Sequence, residues 1–154
     1  MDQLKFIALD ADDLAVVSAH LQDAVLKVSD VIWRQQEKRL VLALNRFDWE
    51  SAQGGQYRRR LCALRFDRVL SCKCRHVDPA GKQAVLNLLA VQFEQTNPPS
   101  GVVQLTFSGG GVLRLEVECL EAELADLGPA WTTSACPVHL DLEPASTQAT
   151  EAGR

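Results

Sequence analysis

The stretch that decides the fold is residues 101–119, which read GVVQLTFSGGGVLRLEVEC. Val103, Leu105 and Phe107 alternate with polar residues, which is the period of a strand that buries one face. The alternation resumes after the three glycines, at Leu113, Leu115, Val117 and Cys119. Because glycine accepts the positive φ angles of a tight turn, the stretch predicts a β-hairpin. A phosphate-binding loop is disfavoured, since a strand rather than a helix follows the glycines.

Directly after this hairpin the spacing of apolar residues changes. Leu120, Leu124 and Leu127 recur at helical intervals with acidic residues between them. Gly128 and Pro129 then supply the residues that commonly end a helix. The pattern predicts a short amphipathic helix after the last strand.

The beginning of the chain predicts a strand followed by a helix. Residues 4–9 form a short β-prone run that ends at Asp10, a residue type favoured at helix N-caps. Beyond Asp10 the apolar side chains fall on one helical face: Leu14, Val17, Leu21 and Val25. We therefore expect an N-terminal helix after the first strand.

The middle of the chain predicts further strands. Residues 25–33 and 40–47 are β-prone and flank a polar turn, as in a hairpin. Residues 57–76 alternate again and predict one bent strand or two short ones. Residues 85–93 are continuously apolar, so helix and strand stay open there; Asp78 and Pro79 favour one or two helical turns before a strand at 92–94.

Together these elements predict a single α+β domain over residues 1–131, followed by an extended or disordered tail over residues 132–154. The fold class is an antiparallel β meander or a partly closed barrel, with an N-terminal helix and a helix after the last strand. This order is similar to a pleckstrin-homology-like barrel, although that fold has no early helix.

Composition limits the classes of function and location. The formal charge of -4 and the pI near 5.3 give no general attraction to nucleic acid or to an anionic membrane. The chain has no apolar run long enough to span a bilayer and opens without the pattern of a secretory signal. Five cysteines, an odd number, indicate reduced thiols in the cytoplasm.

Several segments also carry a resemblance: residues 4–14, 19–24, 45–50 and 115–119, which read LKFIALDADDL, AHLQDA, NRFDWE and LEVEC. With them the chain resembles a family of small alphaproteobacterial proteins known only as a domain of unknown function, over nearly the whole length to residue 131. The resemblance implies a bacterial, cytoplasmic protein with one domain. It implies no activity, ligand or catalytic residue.

Three candidate metal ligands share one face of a predicted strand: Cys72, Cys74 and His76. Structural zinc sites more often use pairs of cysteines with two residues between them, at turns, and reduced cysteine is often a buried apolar residue, so core packing is favoured over a metal. Lys73 and Arg75 flank Cys74 in sequence but point to the other face of a strand, which disfavours an activated thiolate. No cofactor motif or catalytic triad pattern is present, so we expect no cofactor and disfavour an enzyme.

The strongest surface feature is a set of basic residues close to two aromatic ones. The predicted binding residues are Trp49, Tyr57, Arg58, Arg59, Arg60, Arg65, Lys73 and Arg75. Our first hypothesis is a non-catalytic protein-binding or adaptor domain that uses this surface. The alternative is that the arginine-rich strand face binds RNA or a phosphorylated ligand. A third interpretation, a solvated face with cross-strand charge pairs, is favoured over a site. A protein partner is favoured over nucleic acid, and no membrane partner is expected.

Overall fold

A computed structural model describes residues 3–128, 130–133, 136 and 137 of the chain. The helices are α1 (Ala11–Leu21) and α2 (Trp49–Gln53). The strands are β1 (Lys5–Ala8), β2 (Ala24–Lys27), β3 (Val31–Arg34), β4 (Arg39–Phe47), β5 (Arg58–Phe66), β6 (Val69–Arg75), β7 (Val85–Gln95), β8 (Gly101–Phe107), β9 (Val112–Val117), β10 (Ala122–Asp126) and β11 (Trp131–Thr132). Neither helix is long and apolar enough to cross a membrane.

All the described strand pairs are antiparallel and belong to one sheet. Its order is β1-β10-β5-β4-β2-β7-β8-β9-β6, with β11 beside β5 and β3 beside β4. The expectation of an antiparallel, sheet-rich fold is confirmed. The sheet is not closed into a barrel, because β1 and β6 stand at its two ends, and the pleckstrin-homology-like arrangement is not confirmed.

The hairpin predicted around the triple glycine is confirmed. Strands β8 and β9 pair with Leu105 opposite Leu113, and both side chains are buried. Gly109 and Gly110 adopt φ angles of 82° and 92° in the turn, where a side chain would be strained. The inward residues of this hairpin belong to one hydrophobic core together with inward residues of β4, β5 and α1.

Helix α1 lies between β1 and β2. The Asp10 carboxylate accepts a hydrogen bond from the Asp13 N–H at 2.8 Å, and Leu14, Val17 and Leu21 are buried. Val25 does not belong to the helix: α1 ends at Leu21, and Val25 lies in β2.

The helix expected after the last strand is wrong, because residues 122–126 form β10 between β1 and β5. The side chains of Ala122, Leu124 and Asp126 point inward. An inward carboxylate breaks the apolar alternation of a strand, so the helical spacing of the leucines stood out instead.

The helical turns favoured near residues 85–93 are also wrong, because β7 covers the whole apolar run. The register against β8 shifts between Leu88 and Ala90, which is a β-bulge. The bulge changes which residues face inward and therefore hides the strand period. The Ser18 hydroxyl of α1 accepts a hydrogen bond from the Val91 N–H at 2.9 Å, so the helix packs against β7 just beyond this irregularity.

The end of the described chain remains attached to the sheet. Trp131 lies opposite Arg59 on β5, and the Thr133 N–H donates to the Tyr57 carbonyl at 2.8 Å. The tail predicted over residues 132–154 lies outside the described residues, apart from 132, 133, 136 and 137.

Candidate binding site

A pocket of about 410 Å³ opens at the end of the sheet where β3 and β6 separate. The start of β6 is attached to the turn that follows β3, since the Val69 N–H donates to the Lys38 carbonyl at 2.9 Å. Beyond this bond no strand pairing joins β3 to β6 in the described part of the chain. The pocket therefore lies between two strand edges that have no strand partner there.

The walls of the pocket are mostly apolar. The lining residues are Val28, Ser29, Val31, Trp33, Cys72, Cys74, Val77, Pro79, Lys82, Leu86 and Leu113. They come from β3, β6, β7 and β9 and from the two connections at residues 28–30 and 76–84. Apolar lining with a few polar groups is typical of pockets that bind a ligand or a side chain.

Backbone contacts hold both connections in place. The Ser29 N–H donates to the Lys82 carbonyl and the Val28 N–H to the Ala84 carbonyl, each at 3.0 Å. A Cβ on Gly111 would lie 2.9 Å from Cγ2 of Val77, so a larger residue there would displace the Val77 side chain that lines the pocket. The pocket is thus formed by the fold itself.

The two cysteines in the pocket differ in environment. Burial, with a smaller contribution from Cys74, raises the pKa of the Cys72 thiol to about 11. Cys74 is exposed, and its Sγ lies 3.4 Å from the Val77 carbonyl oxygen. The third predicted ligand, His76, follows β6 with a φ of 59°. Within the described residues no three His, Cys, Asp or Glu side chains are placed to hold a metal ion, so this trio is not a metal centre.

The predicted arginine run divides between two faces of β5. Arg60 points towards the core, where its Nε lies 3.4 Å from Asp48 and 3.9 Å from Asp126. Arg46 donates two hydrogen bonds to the Asp126 carboxylate, at 2.8 and 2.9 Å. All four side chains are nearly inaccessible to solvent. Arg60 is therefore part of a buried ionic cluster.

The charges of this cluster change the pKa values of its members. Burial raises the pKa of Asp126, but hydrogen bonds from Arg46 and the Leu4 N–H outweigh it and place that pKa below its usual range. Burial also raises the pKa of Asp48, but hydrogen bonds from Ser51 and the charges of Arg46 and Arg60 outweigh it. The pKa of Asp48 is therefore also below its usual range. Both carboxylates are charged at neutral pH.

Arg59 lies on the opposite face and is also buried, with 2% of its surface exposed. Its guanidinium carbon lies 5.7 Å from the centre of the Phe47 ring. Phe47 packs edge-on against Trp49 at 4.7 Å and tilted against Tyr57 at 6.1 Å. The Trp49 Nε1–H donates to the Gln22 carbonyl at 3.1 Å. The structure thus brings these predicted residues together, and they pack against one another.

Arg65 belongs to a surface chain of alternating charges. Lys5 lies 3.6 Å from Glu123, which lies 2.7 Å from Arg65. Arg65 in turn contacts Asp67 at 3.0 Å, and Asp67 contacts Arg39 at 2.7 Å. This is the arrangement of cross-strand charge pairs that the third interpretation expected.

Lys73 and Arg75 lie far from Arg59 and Arg65 in the order of strands, because β6 ends the sheet and β5 is third in it. Both are exposed on the face of β6 opposite the two cysteines. Lys73 is paired with Arg114 of β9, which places two cations side by side. Arg58, the remaining predicted residue, donates to the Gln56 side chain at 2.8 Å. The predicted residues therefore do not form one cationic stripe.

Sequence reasoning missed Trp33, Lys82 and Leu86 as neighbours of one site. Each belongs to a different element, and only the sheet order brings them to the same end. The sequence indicates that Trp33 lies in a strand, because it belongs to a short β-prone run next to a polar turn. Nothing in that run indicates a pocket.

Comparison with known families matches residues 4–139 to a family model described as Protein of unknown function (DUF2948). No curated protein and no solved structure matches the chain. The alphaproteobacterial origin implied by the resemblance is not shown by this match and stays a prediction. The family description names no ligand or reaction, so the site is interpreted from its geometry.

Proposed function

This chain belongs to the family of proteins of unknown function DUF2948, and from its own geometry we propose that it is a non-catalytic protein-binding domain. It binds an extended segment of a partner protein. The segment pairs with the open edge of β6 and places an apolar side chain in the adjacent pocket. One observation carries the proposal: the apolar pocket lies between two strand edges that no strand of the described chain covers.

An open edge beside a pocket supports this mode of binding for two reasons. The backbone N–H and C=O groups of an edge strand are available to an added strand, as in domains that bind extended peptides. Alternate side chains of the added strand point to one face, so one of them reaches a pocket beside the edge. A volume of about 410 Å³ accommodates a large aliphatic or aromatic side chain.

The lining supports binding rather than catalysis. Among the described residues that line the pocket there is no Asp, Glu or His, the residue types that most often transfer protons in enzymes. The raised pKa of Cys72 keeps that thiol protonated at neutral pH, which disfavours a nucleophile.

This proposal moves the binding site away from residues 49–60, the surface that the sequence predicted. There Arg59 and Arg60 are buried and Trp49 donates its indole N–H within the chain, which leaves less polar surface for a partner. The alternative function, RNA or phosphate binding by an arginine-rich face, has less support for the same reason. We also propose a cytoplasmic location, which the five free cysteines support.

The experiment is selection of a displayed library of random dodecapeptides on the full-length protein. The test variant is Cys74→Trp, which fills the pocket from an exposed position on β6. The matched control is Leu70→Trp, an exposed position on the same strand that does not line the pocket. We expect peptides with an apolar anchor to bind the wild type and Leu70→Trp and to lose binding to Cys74→Trp.

Backbone pairing has its own readout in the same samples. A bound peptide that adds a strand slows amide hydrogen exchange at residues 71–75, because it covers the open edge of β6. If no peptide is enriched on the wild type, or if those enriched bind Cys74→Trp equally well, the proposed function is wrong.

A further inference from the structure

We infer that the partner segment is acidic, with Asp or Glu side chains on both sides of its apolar anchor. This inference rests on the proposed function and adds the chemistry that the partner must present. The observation behind it is the distribution of positive charges that lack an ion-pair partner.

Most lysine and arginine side chains of the described chain are engaged in ion pairs. These are Lys5, Arg34, Lys38, Arg39, Arg46, Arg60, Arg65 and Arg68. A second group forms no ion pair with a described carboxylate: Lys27, Arg58, Lys73, Arg75, Lys82 and Arg114. Apart from Arg58 on β5, these cations lie at the pocket or at the open edge of β6. Lys73, Arg75 and Arg114 lie on the face of the sheet opposite the pocket.

The positions of these cations follow from the strand register. Lys73 and Arg114 are direct partners on β6 and β9, and Arg75 lies two residues beyond Lys73 on the same face. Lys82 lines the pocket itself, and the Lys27 Nζ contacts the Gln83 side chain beside it at 3.3 Å. Positive charge therefore lies on both faces of the sheet at the open edge of β6, with Lys82 on the pocket face and Lys73 and Arg75 on the other. In a strand added to this edge, the residues next to the apolar anchor point to the face of Lys73 and Arg75.

Two of the nearby carboxylates accept backbone hydrogen bonds, and a third, Glu116, lies on the same face of β9 as Arg114. Asp30 accepts a hydrogen bond from the Lys27 N–H, and Asp78 accepts one from the Ala80 N–H, each at 2.9 Å. Glu116 lies on β9 opposite Ser71 and forms no ion pair with a described cation. Like charges placed directly opposite each other on neighbouring strands repel and destabilise the pair. An anionic ligand beside Lys73 and Arg114 would reduce this repulsion.

The apolar pocket beside the cations favours a peptide over a nucleic acid. A nucleic acid carries a phosphate at every nucleotide and needs a continuous positive groove. Here Lys82 lies in an opening lined with Trp33, Leu86 and Val77, and Lys73 and Arg75 lie on the other face of β6, so the positive charges do not form one groove. An extended peptide with an apolar anchor and acidic neighbours satisfies both parts of this surface, and the whole protein, with its charge of -4, is otherwise unsuited to anions.

The test reads the sequences of the dodecapeptides selected on the full-length wild type and then measures binding of the best peptide by fluorescence anisotropy. We expect Asp and Glu to be enriched beside an aromatic or aliphatic anchor. The double variant Lys73→Glu with Lys82→Glu should weaken binding of this peptide at least about tenfold. A neutral double variant, Lys73→Gln with Lys82→Gln, should weaken it less. Raising the salt from about 50 to about 200 mM should weaken wild-type binding, because these charges are exposed.

The matched control is Arg58→Glu, which reverses a cation that also forms no described ion pair but lies on β5, within the surface predicted from sequence. It should leave binding unchanged, and a loss of binding in this variant would overturn the inference. Circular dichroism of each variant confirms that the sheet is intact.

The outcomes separate the inference from the proposed function. Peptides that require an open pocket but show no enrichment of acidic residues overturn the inference and leave the function standing. Failure to select any pocket-dependent peptide overturns both. A fluorescent single-stranded RNA that binds the wild type and is released by the Lys73→Glu and Lys82→Glu double variant, with no acidic peptides selected, also overturns the inference, in favour of nucleic acid.

Discussion

At the scale of single residues, the buried ionic cluster joins Arg46 and Arg60 to the carboxylates of Asp48 and Asp126. A basic run normally indicates a solvated or anion-binding face, yet Arg59 and Arg60 are 2% and 4% exposed. Arg60 points to the inward face of β5, as Cys62 does. Its charge is compensated there because Asp48 and Asp126 lie beside it. The sequence alone cannot pair Arg60 with a carboxylate more than sixty residues away, so the run was interpreted as surface.

We predict that Asp126→Asn destabilises the protein by about 3–5 kcal/mol, because it leaves the Arg46 guanidinium buried without its partner. Urea unfolding followed by circular dichroism measures this free energy of unfolding. The control is Glu118→Gln, which removes exposed ion pairs with Lys38 and Arg68 and should destabilise the protein far less. Equal effects of the two substitutions would contradict the buried cluster.

The same carboxylate predicts a dependence of stability on pH. The pKa of Asp126 is lowered in the folded protein, so its contribution is present above the unfolded pKa of about 4 and is lost as the pH falls through the folded value. We expect the difference in unfolding free energy between wild type and Asp126→Asn to be constant from about pH 8 to about pH 5 and to shrink below that. Urea titrations across this range give the difference, and a value that stays constant into acid would refute the assignment.

At the scale of elements, prediction succeeded where a strand keeps its period and its turn is local. Strands β8 and β9 alternate without interruption and join through glycines with positive φ, so sequence alone predicts their hairpin. Prediction failed where one residue breaks the period. Asp126 occupies an inward position of β10, and the bulge after Leu88 shifts the phase of β7. Both features depend on distant partners, which a local pattern does not contain.

The pairing of β6 with β9 predicts that one substitution increases stability and weakens binding. Lys73→Glu replaces a like-charge pair with an attractive one opposite Arg114, so we expect it to stabilise the protein by about 0.2–1 kcal/mol. The same substitution should weaken binding of the selected acidic peptide. Thermal unfolding and anisotropy on one sample measure both effects. If Lys73→Glu lowers stability, Arg114 is not the neighbour that the register gives it.

At the scale of the whole molecule, the candidate site depends on the order of the strands in the sheet. Its lining runs from Val28 to Leu113 in sequence, and the pocket exists because β3 and β6 separate beyond the bond between Val69 and Lys38. The sequence does indicate that Cys72 and Cys74 share a face, which is what the pocket shows. It does not indicate that this face meets β3 and β7, because no local pattern encodes which edges stay open.

The same topology predicts how the protein folds. The hairpin of β8 and β9 closes over a few residues, whereas β10 pairs with β1, and the Leu4 N–H bonds to Asp126 from 122 positions away. Because long loops cost entropy before their contacts form, we expect the hairpin early, the β1–β10 pairing late, and folding in milliseconds to seconds.

Two matched substitutions test that order, since Leu105 and Leu124 are both fully buried. Leu105→Ala and Leu124→Ala should each cost about 2–5 kcal/mol. Leu105→Ala should mainly slow folding, and Leu124→Ala should mainly speed unfolding, as measured by stopped-flow urea jumps with tryptophan fluorescence. The reverse pattern would mean that the distant ends of the chain meet first. In that case the hairpin that makes the fold recognisable in the sequence would not be what starts its folding.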